Sequence, residues 1–125
     1  MPARIVIVHD DEELTRQTVV ALQAAGHDVA VFQDPLLAHD ANEAAPRVEV
    51  LITRVTFPSG RSNGISLARM TRSKRPGVKV LFIGLEEDES PVKGLDAFLP
   101  ISASAERVAV AVERMLADNS HLFQA

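Results

Sequence analysis

The sequence predicts a single α/β domain built on a doubly wound parallel sheet. Short apolar runs that suit buried strands alternate along the chain with segments whose apolar residues follow a helical period. The first run, at residues 5–8, contains only Ile and Val, as expected for a strand covered on both faces. A chain of 125 residues with 46% hydrophobic content suits one core, so residues 1–125 are predicted to form one stand-alone domain.

Five strands and the helices between them follow from these runs in order. The strands are predicted at residues 4–9, 28–32, 48–54, 78–83 and 96–99. Helices are predicted at residues 11–25, at 35–44, between the loop 57–64 and Pro76, and at 103–118. Residues 84–94 are expected to hold at most a turn or two of helix, and residues 119–125 a frayed end.

The helix ends have recognisable residues. Gly26 is expected to end the first helix, because glycine tolerates the left-handed conformation found after many helices. Asp34 as the cap and Pro35 at the first helical position begin the second helix. Ser102 or Ser104 is expected to cap the last helix.

Composition and charge exclude several classes of protein. The chain has no cysteine, so it has neither a disulfide framework nor a thiolate metal site. It has no apolar run of the roughly 18 residues that cross a membrane and no signal peptide at its start, which predicts a soluble cytoplasmic protein. The net charge of −4 argues against nucleic-acid binding. The basic residues of one segment are interpreted as a solvated helix face: Arg69, Arg72, Lys74, Arg75 and Lys79.

Four acids follow the first strand without interruption, from Asp10 to Glu13. They fall at the carboxyl end of the predicted sheet, where ligands bind in open α/β folds, so a cation or a cationic side chain is expected nearby. The alternative is that Asp10 or Asp11 caps the next helix, with Glu13 supporting its first turn. One cap explains one acid and leaves the others unexplained.

The chain resembles a response-regulator receiver domain, the CheY-like fold of two-component signalling. The resemblance is carried by residues 5–12, by Pro58 and Gly64 after strand three, and by residues 80–83 and 94–100. It implies a flavodoxin/CheY-like (βα)5 sheet in the order 2-1-3-4-5, with a pocket at the carboxyl ends of strands one, three and four. It also implies that the acid pair after strand one holds a divalent cation and that an Asp closing strand three accepts a phosphoryl group from a histidine kinase.

Three positions depart from that family pattern. Arg54 stands at the acceptor position, and residues 41–87 contain no Asp that could replace it. Gly84 stands where the family has a Ser or Thr that bonds the phosphoryl group. Leu99, before Pro100, stands where the family has a Lys. The resemblance therefore implies a degenerate pseudo-receiver that is not phosphorylated on the usual Asp.

Arg54 is expected to place its guanidinium against Asp10 or Asp11, in the position of the cation. Such an internal cation weakens or abolishes Mg²⁺ binding, so no cofactor is predicted. The alternative is that Arg54 points outward over the loop. His9, beside the acid pair, is expected to be a satisfied strand-end histidine or a pocket contact.

The fourth helix of the family pattern is predicted to be shortened or missing, because the stretch from Gly84 to Pro100 is short. Leu95, Phe98 and Ile101 are then either an exposed interface or covered by the loop. The chain is predicted to be a non-enzymatic protein whose partner is a histidine kinase, a phosphotransfer protein or another regulator. A homodimer through the strand five and helix five face is a further expectation, with neither nucleic acid nor membrane as a partner.

Other functions stay open at this point. The chain could be a receiver that still binds Mg²⁺ or is phosphorylated on a non-standard residue, although Thr53, Thr56, Ser59 and Ser62 are interpreted as ordinary turn residues. A flavodoxin-like cofactor-binding protein would share the sheet order. Its first loop must accept a phosphate, which the acids at residues 10–13 would repel.

Overall fold

A computed structural model of the chain describes residues 3–57, 63–85, 88 and 97–124, without the side chains of residues 43 and 118–124. Strands and helices alternate for most of the chain. In order they are β1 (Arg4–Val8), α1 (Glu12–Ala24), β2 (Asp28–Phe32), α2 (Pro35–Ala44), β3 (Val50–Arg54), α3 (Gly64–Lys74), β4 (Lys79–Gly84), β5 (Ala97–Pro100) and α4 (Ala105–Gln124). Helix α4 is the last helix of the described residues and corresponds to the fifth of the family pattern.

The five strands form one parallel sheet in the order β2-β1-β3-β4-β5, which confirms the predicted topology. The register places Val8 beside Thr53 and Arg54 beside Ile83. The carboxyl ends of β1, β3 and β4 therefore meet at one edge of the sheet. That edge is where the fold class places its ligands.

Two apolar layers hold the helices on the two faces of the sheet. Alternate residues of each strand point to opposite faces, so Ile5 and Ile7 pack with α1 and α4, whereas Val6 and Val8 pack with α2 and α3. The central strands carry fully buried side chains such as Leu51. Each large apolar side chain buried in this way contributes about 1.5–3 kcal/mol. The continuous apolar runs of the sequence are the cause of this three-layer arrangement.

The predicted helix ends are confirmed where the structure describes them. Gly26 follows α1 with a φ of 92°, which favours glycine. Asp34 caps α2 by accepting a hydrogen bond from the Leu36 N–H, and Pro35 begins the helix. Of the two serines considered for α4, Ser104 accepts from the Arg107 N–H at 3.2 Å.

The end of the last helix was predicted wrongly. Helix α4 continues to Gln124, where the sequence interpretation placed a frayed end from residue 119. Residues 119–124 contain neither Gly nor Pro, so nothing in them terminates a helix. Four of the five strands also begin or end one or two residues from their predicted bounds. Most of residues 84–94, where a shortened fourth helix was expected, lies outside the described residues.

Part of the basic segment has a structural role, so the interpretation as a solvated helix face is correct only for its exposed residues, such as Arg69. Arg72 donates to the Val78 carbonyl at 3.2 Å. Arg75 donates to the carbonyls of Asn42, at 2.7 Å, and Ala45 at the end of α2. Orphan carbonyls at a helix C-terminus need such donors. These arginines therefore fasten loops and α2 to α3.

Within the described part of the chain, no helix combines the length and the apolar character needed to cross a lipid bilayer. The expected cytoplasmic location and the single stand-alone domain stay predictions.

Candidate functional site

Arg54 and Asp10 form an ion pair at the carboxyl edge of the sheet. The Arg54 Nη1 lies 2.7 Å from the Asp10 Oδ1. The strand register brings the two residues together, because Val8 of β1 is paired with Thr53 of β3 and Asp10 and Arg54 follow shortly after that pair. The Arg54 side chain is 17% exposed and that of Asp10 is 37% exposed. Arg54 therefore lies against Asp10 and is mostly buried, and the outward alternative is wrong.

The ion pair sets the charge state of the Asp10 carboxyl. Burial by itself raises the pKa of this group. The hydrogen bond and positive charge of Arg54 act in the opposite direction, with smaller help from the backbone and His9. The net pKa of Asp10 lies below its ordinary value, so Asp10 is a carboxylate at neutral pH with Arg54 as its counter-ion.

Asp11 and Glu13 have separate local roles. Asp11 caps α1: its Oδ1 accepts from the Leu14 N–H at 3.0 Å. Glu13 accepts hydrogen bonds from Arg16 and Gln17, one turn further along the same helix. The alternative in which one acid caps the helix is thus correct for Asp11, whereas Asp10 has the cationic partner. Among the described residues, no hydrogen bond joins Asp11 to Arg54.

His9 is buried beside Asp10, with 2% of its surface exposed. Its Nδ1 accepts a hydrogen bond from the Asp11 N–H at 2.9 Å, so the proton of the neutral ring is on Nε2. The Nε2 is buried and has no hydrogen-bond partner among the described residues. Burial and then the charge of Arg54 lower the pKa of His9, and Asp10 and Asp11 offset part of this effect. His9 is therefore a neutral ring that orients the acidic loop.

The lowered pKa of His9 predicts a pH-dependent stability. As the pH falls below the ordinary value of 6.5, the unfolded chain takes up a proton at residue 9 that the folded chain refuses. The free energy of unfolding should therefore fall between pH 7.5 and pH 5.5, with a slope from this group of at most about 1.4 kcal/mol per pH unit.

Urea titrations of the parent and His9→Gln across that pH range measure this effect. The other histidines are common to both proteins, so the difference between the two slopes reports His9 alone. The variant should show the shallower dependence. Equal slopes would show that His9 does not contribute to it.

Gly64, the first residue of α3, lies directly against the end of β3. A Cβ at this position would be 1.9 Å from the Arg54 carbonyl oxygen and 2.8 Å from the Thr53 Oγ1. The Thr53 hydroxyl is buried here and donates to the Arg54 carbonyl at 3.0 Å. The close approach of α3 and β3 holds the backbone of Arg54 in place.

Gly84 ends β4, and its missing side chain leaves room for Asp88. A Cβ on Gly84 would lie 2.9 Å from the Asp88 Oδ2. The Asp88 carboxylate accepts from the Thr56 Oγ1 at 3.1 Å and from the Leu85 N–H at 3.0 Å. Sequence reasoning missed Asp88, because nothing in the acidic segment around it shows which carboxylate turns back onto the sheet.

The remaining predicted positions lie further from the ion pair or outside the described residues. Leu99 is half-buried and packs with the layer that contains α1 and α4. Phe98 and Ile101 are also half-buried, each packed against one of the two apolar layers. Leu95, Ser59 and Ser62 are not among the described residues. The predicted apolar interface therefore stays a prediction.

The acid pair as it stands suits a divalent cation poorly. The Asp10 carboxylate already has a cationic partner, and the Asp11 carboxylate is directed to the N-terminus of α1. A metal ion at this edge would compete with both interactions and would approach the positive charge of Arg54. Among the described residues no group of three His, Asp or Glu side chains could hold a metal ion.

The comparisons with known proteins agree on one fold. No family model matches the chain. Over 80 residues the chain is 32% identical to the response regulator receiver protein CpdR of Brucella abortus, a match that spans 64% of this chain and 64% of that protein. The chain thus covers less than two thirds of that curated relative.

Solved receiver structures match nearly the whole chain. A CheY-like receiver domain from Methanospirillum hungatei superposes with a TM-score of 0.84 at 18% identity, covering 97% of this chain and 98% of that one. A receiver protein from Sinorhizobium medicae has a TM-score of 0.83 at 16% identity and covers 94% and 97% of the two chains. At these identities the structures establish the fold, and the sequence likeness to CpdR agrees with it. The chain has the CheY-like fold of receiver domains, and 80 of its residues resemble a response regulator receiver protein.

Proposed function

We propose that this chain is a receiver domain that does not act as a phosphorylation switch and that it signals through contact with another protein. The observation that carries the proposal is the ion pair between Arg54, at the acceptor position of the family pattern, and Asp10. A guanidinium has no carboxylate oxygen with which to form an acyl phosphate, and it stays charged at all accessible pH values. The domain is then a binding module and not an enzyme.

The same ion pair supports a second part of the proposal, a low affinity for Mg²⁺. Two unit charges about 4 Å apart attract each other by roughly 4 kcal/mol at an effective dielectric near 20, before the cost of desolvation is counted. The cation that neutralises Asp10 is thus supplied by the chain itself. We propose that Arg54 takes the place that a metal ion has in receivers with the usual acceptor.

The proposed partners are proteins of the same signalling systems: a histidine kinase, a phosphotransfer protein or another regulator. The sequence likeness to a response regulator receiver protein supports this class of partner. A domain that contacts such a partner without accepting its phosphoryl group competes with receivers that do. A homodimer through β5 and α4 is a further candidate arrangement for the same contact.

Incubation with acetyl phosphate and Mg²⁺ followed by intact mass measurement tests the proposal. The parent chain should keep its mass, while a receiver with an acceptor Asp, treated in parallel, should gain one phosphoryl group. Calorimetric titration with Mg²⁺ alone should give no saturable binding at millimolar concentrations. A labile phosphoryl adduct on the parent would contradict the proposal, and its position would identify a non-standard acceptor.

A further inference from the structure

The carboxyl ends of β3 and β4 are joined by a side chain that does not belong to either strand. Asp88 reaches back to Thr56, which follows β3, and to Leu85, which follows β4. We propose that these contacts, named the Asp88 bridge (Asp88 with Thr56 and Leu85), hold Thr56 and Leu85 in one fixed arrangement without any phosphoryl group.

Both oxygens of the Asp88 carboxylate are used in the bridge. Oδ1 accepts from the Thr56 hydroxyl at 3.1 Å, and Oδ2 accepts from the Leu85 N–H at 3.0 Å. The Asp88 N–H donates in turn to the Leu85 carbonyl at 2.9 Å, so the backbone and side chain of Asp88 both bond to Leu85. Hydrogen bonds to a charged acceptor are stronger than those between neutral groups. A carboxylate that accepts two such bonds, on a residue that is also fixed by its backbone N–H, is a defined contact and not a solvated surface acid.

Gly84 and Asp88 are complementary in shape. The Asp88 Oδ2 and Cβ would lie 2.9 Å and 3.0 Å from a Cβ at position 84, and the Val55 Cγ2 would lie 3.1 Å away. Gly84 does not have a positive φ, so the backbone conformation does not require glycine there. Glycine is needed at position 84 because the Asp88 side chain occupies the space that a Cβ would fill. Any side chain at position 84 must displace the carboxylate.

The bridge lies where the resemblance places the switch hydroxyl of receivers, at the end of β4. In this chain the position carries no hydroxyl, and the loop after β4 is tied to the loop after β3 from within the protein. The inference goes beyond the proposed function, because it concerns loops and residues other than Arg54 and Asp10. It would hold even if Arg54 did not prevent phosphorylation.

Hydrogen exchange of the Leu85 amide, followed by NMR, tests the bridge. Asp88→Ala removes the acceptor of this amide, so its exchange should become about tenfold faster. Gly84→Ala should have the same effect with Asp88 still present, because the new Cβ expels the carboxylate. Thr56→Val, which removes only the hydroxyl, should give a smaller increase.

The double variant Gly84→Ala/Asp88→Ala shows whether the two substitutions speed Leu85 exchange by breaking the same contact or by two independent effects. If both single variants act by breaking the same contact, the double variant should exchange no faster at Leu85 than Asp88→Ala. Glu106→Gln, an exposed acid in the first turn of α4, serves as the control and should leave this exchange rate unchanged. An unchanged Leu85 rate in Asp88→Ala, or additive effects in the double variant, would overturn the inference. Thr56→Val keeps the test valid if Gly84→Ala fails to fold.

Discussion

Gly64→Ala is expected to destabilise the domain by about 3 kcal/mol, the upper part of the range for an overpacked position. The added Cβ would lie 1.9 Å from the Arg54 carbonyl oxygen, which is a backbone atom of a central strand. This carbonyl oxygen cannot move away as the end of a flexible side chain would. Either α3 must shift outward or β3 must bend, and both movements separate packed apolar side chains. Urea unfolding followed by far-UV circular dichroism measures the loss.

Gly77→Ala is the matched control for that variant. No atom lies within 4 Å of a Cβ built at Gly77, and its φ is not positive. The same chemical change there should leave the stability unchanged or raise it by up to about 1 kcal/mol, because alanine restricts the unfolded chain. If both substitutions had equal effects, the close approach of α3 to β3 would not explain the loss at Gly64.

Arg54→Asp is expected to convert the pocket into a Mg²⁺ site. The substitution replaces a positive charge by a negative one beside Asp10, a change of two charge units next to a divalent ion. Each unit of charge changes the interaction energy with the divalent ion by about 2 kcal/mol at 4 Å, even at the dielectric of water. After allowance for screening by salt, the Mg²⁺ affinity should therefore rise by about 100-fold. Isothermal titration calorimetry with Mg²⁺ measures this change. Arg54→Ala, which removes the charge only, should fall between the parent and Arg54→Asp.

Arg69→Asp controls for the overall charge in this experiment. Arg69 is exposed on α3, and its substitution changes the net charge by the same amount. A gain in Mg²⁺ affinity of equal size in Arg69→Asp would show that the net charge of the protein is responsible. A parent protein that already binds Mg²⁺ as tightly as Arg54→Asp would contradict the role assigned to the ion pair.

The fold could be predicted because it depends on local patterns that repeat. Strands buried on both faces need continuous apolar runs, and helices between them need an amphipathic period. The caps at Asp34 and Ser104 and the stop at Gly26 are equally local, since each side chain or glycine acts within a few residues of its own position. The end of α4 was missed for a related reason: the sequence there contains no stop.

The pairing of Arg54 with the acids could be predicted only after the strand order was inferred. The resemblance to receivers placed β1 beside β3, and that adjacency brings Arg54 and Asp10 to one edge. Which acid would take the guanidinium did not follow from the order. The choice depends on Asp11 being occupied by the N-terminus of α1.

The order of the strands came from the resemblance to receivers, whereas the sequence by itself determined the layers of this protein and the absence of a carboxylate at the end of the third strand. These are properties of residue type and periodicity. The tertiary structure alone decided that Asp88 fills the space beside Gly84 and that Gly64 must lack a side chain. Both depend on distances of a few ångströms between segments far apart in the chain, and such distances are set by the packing of the whole domain.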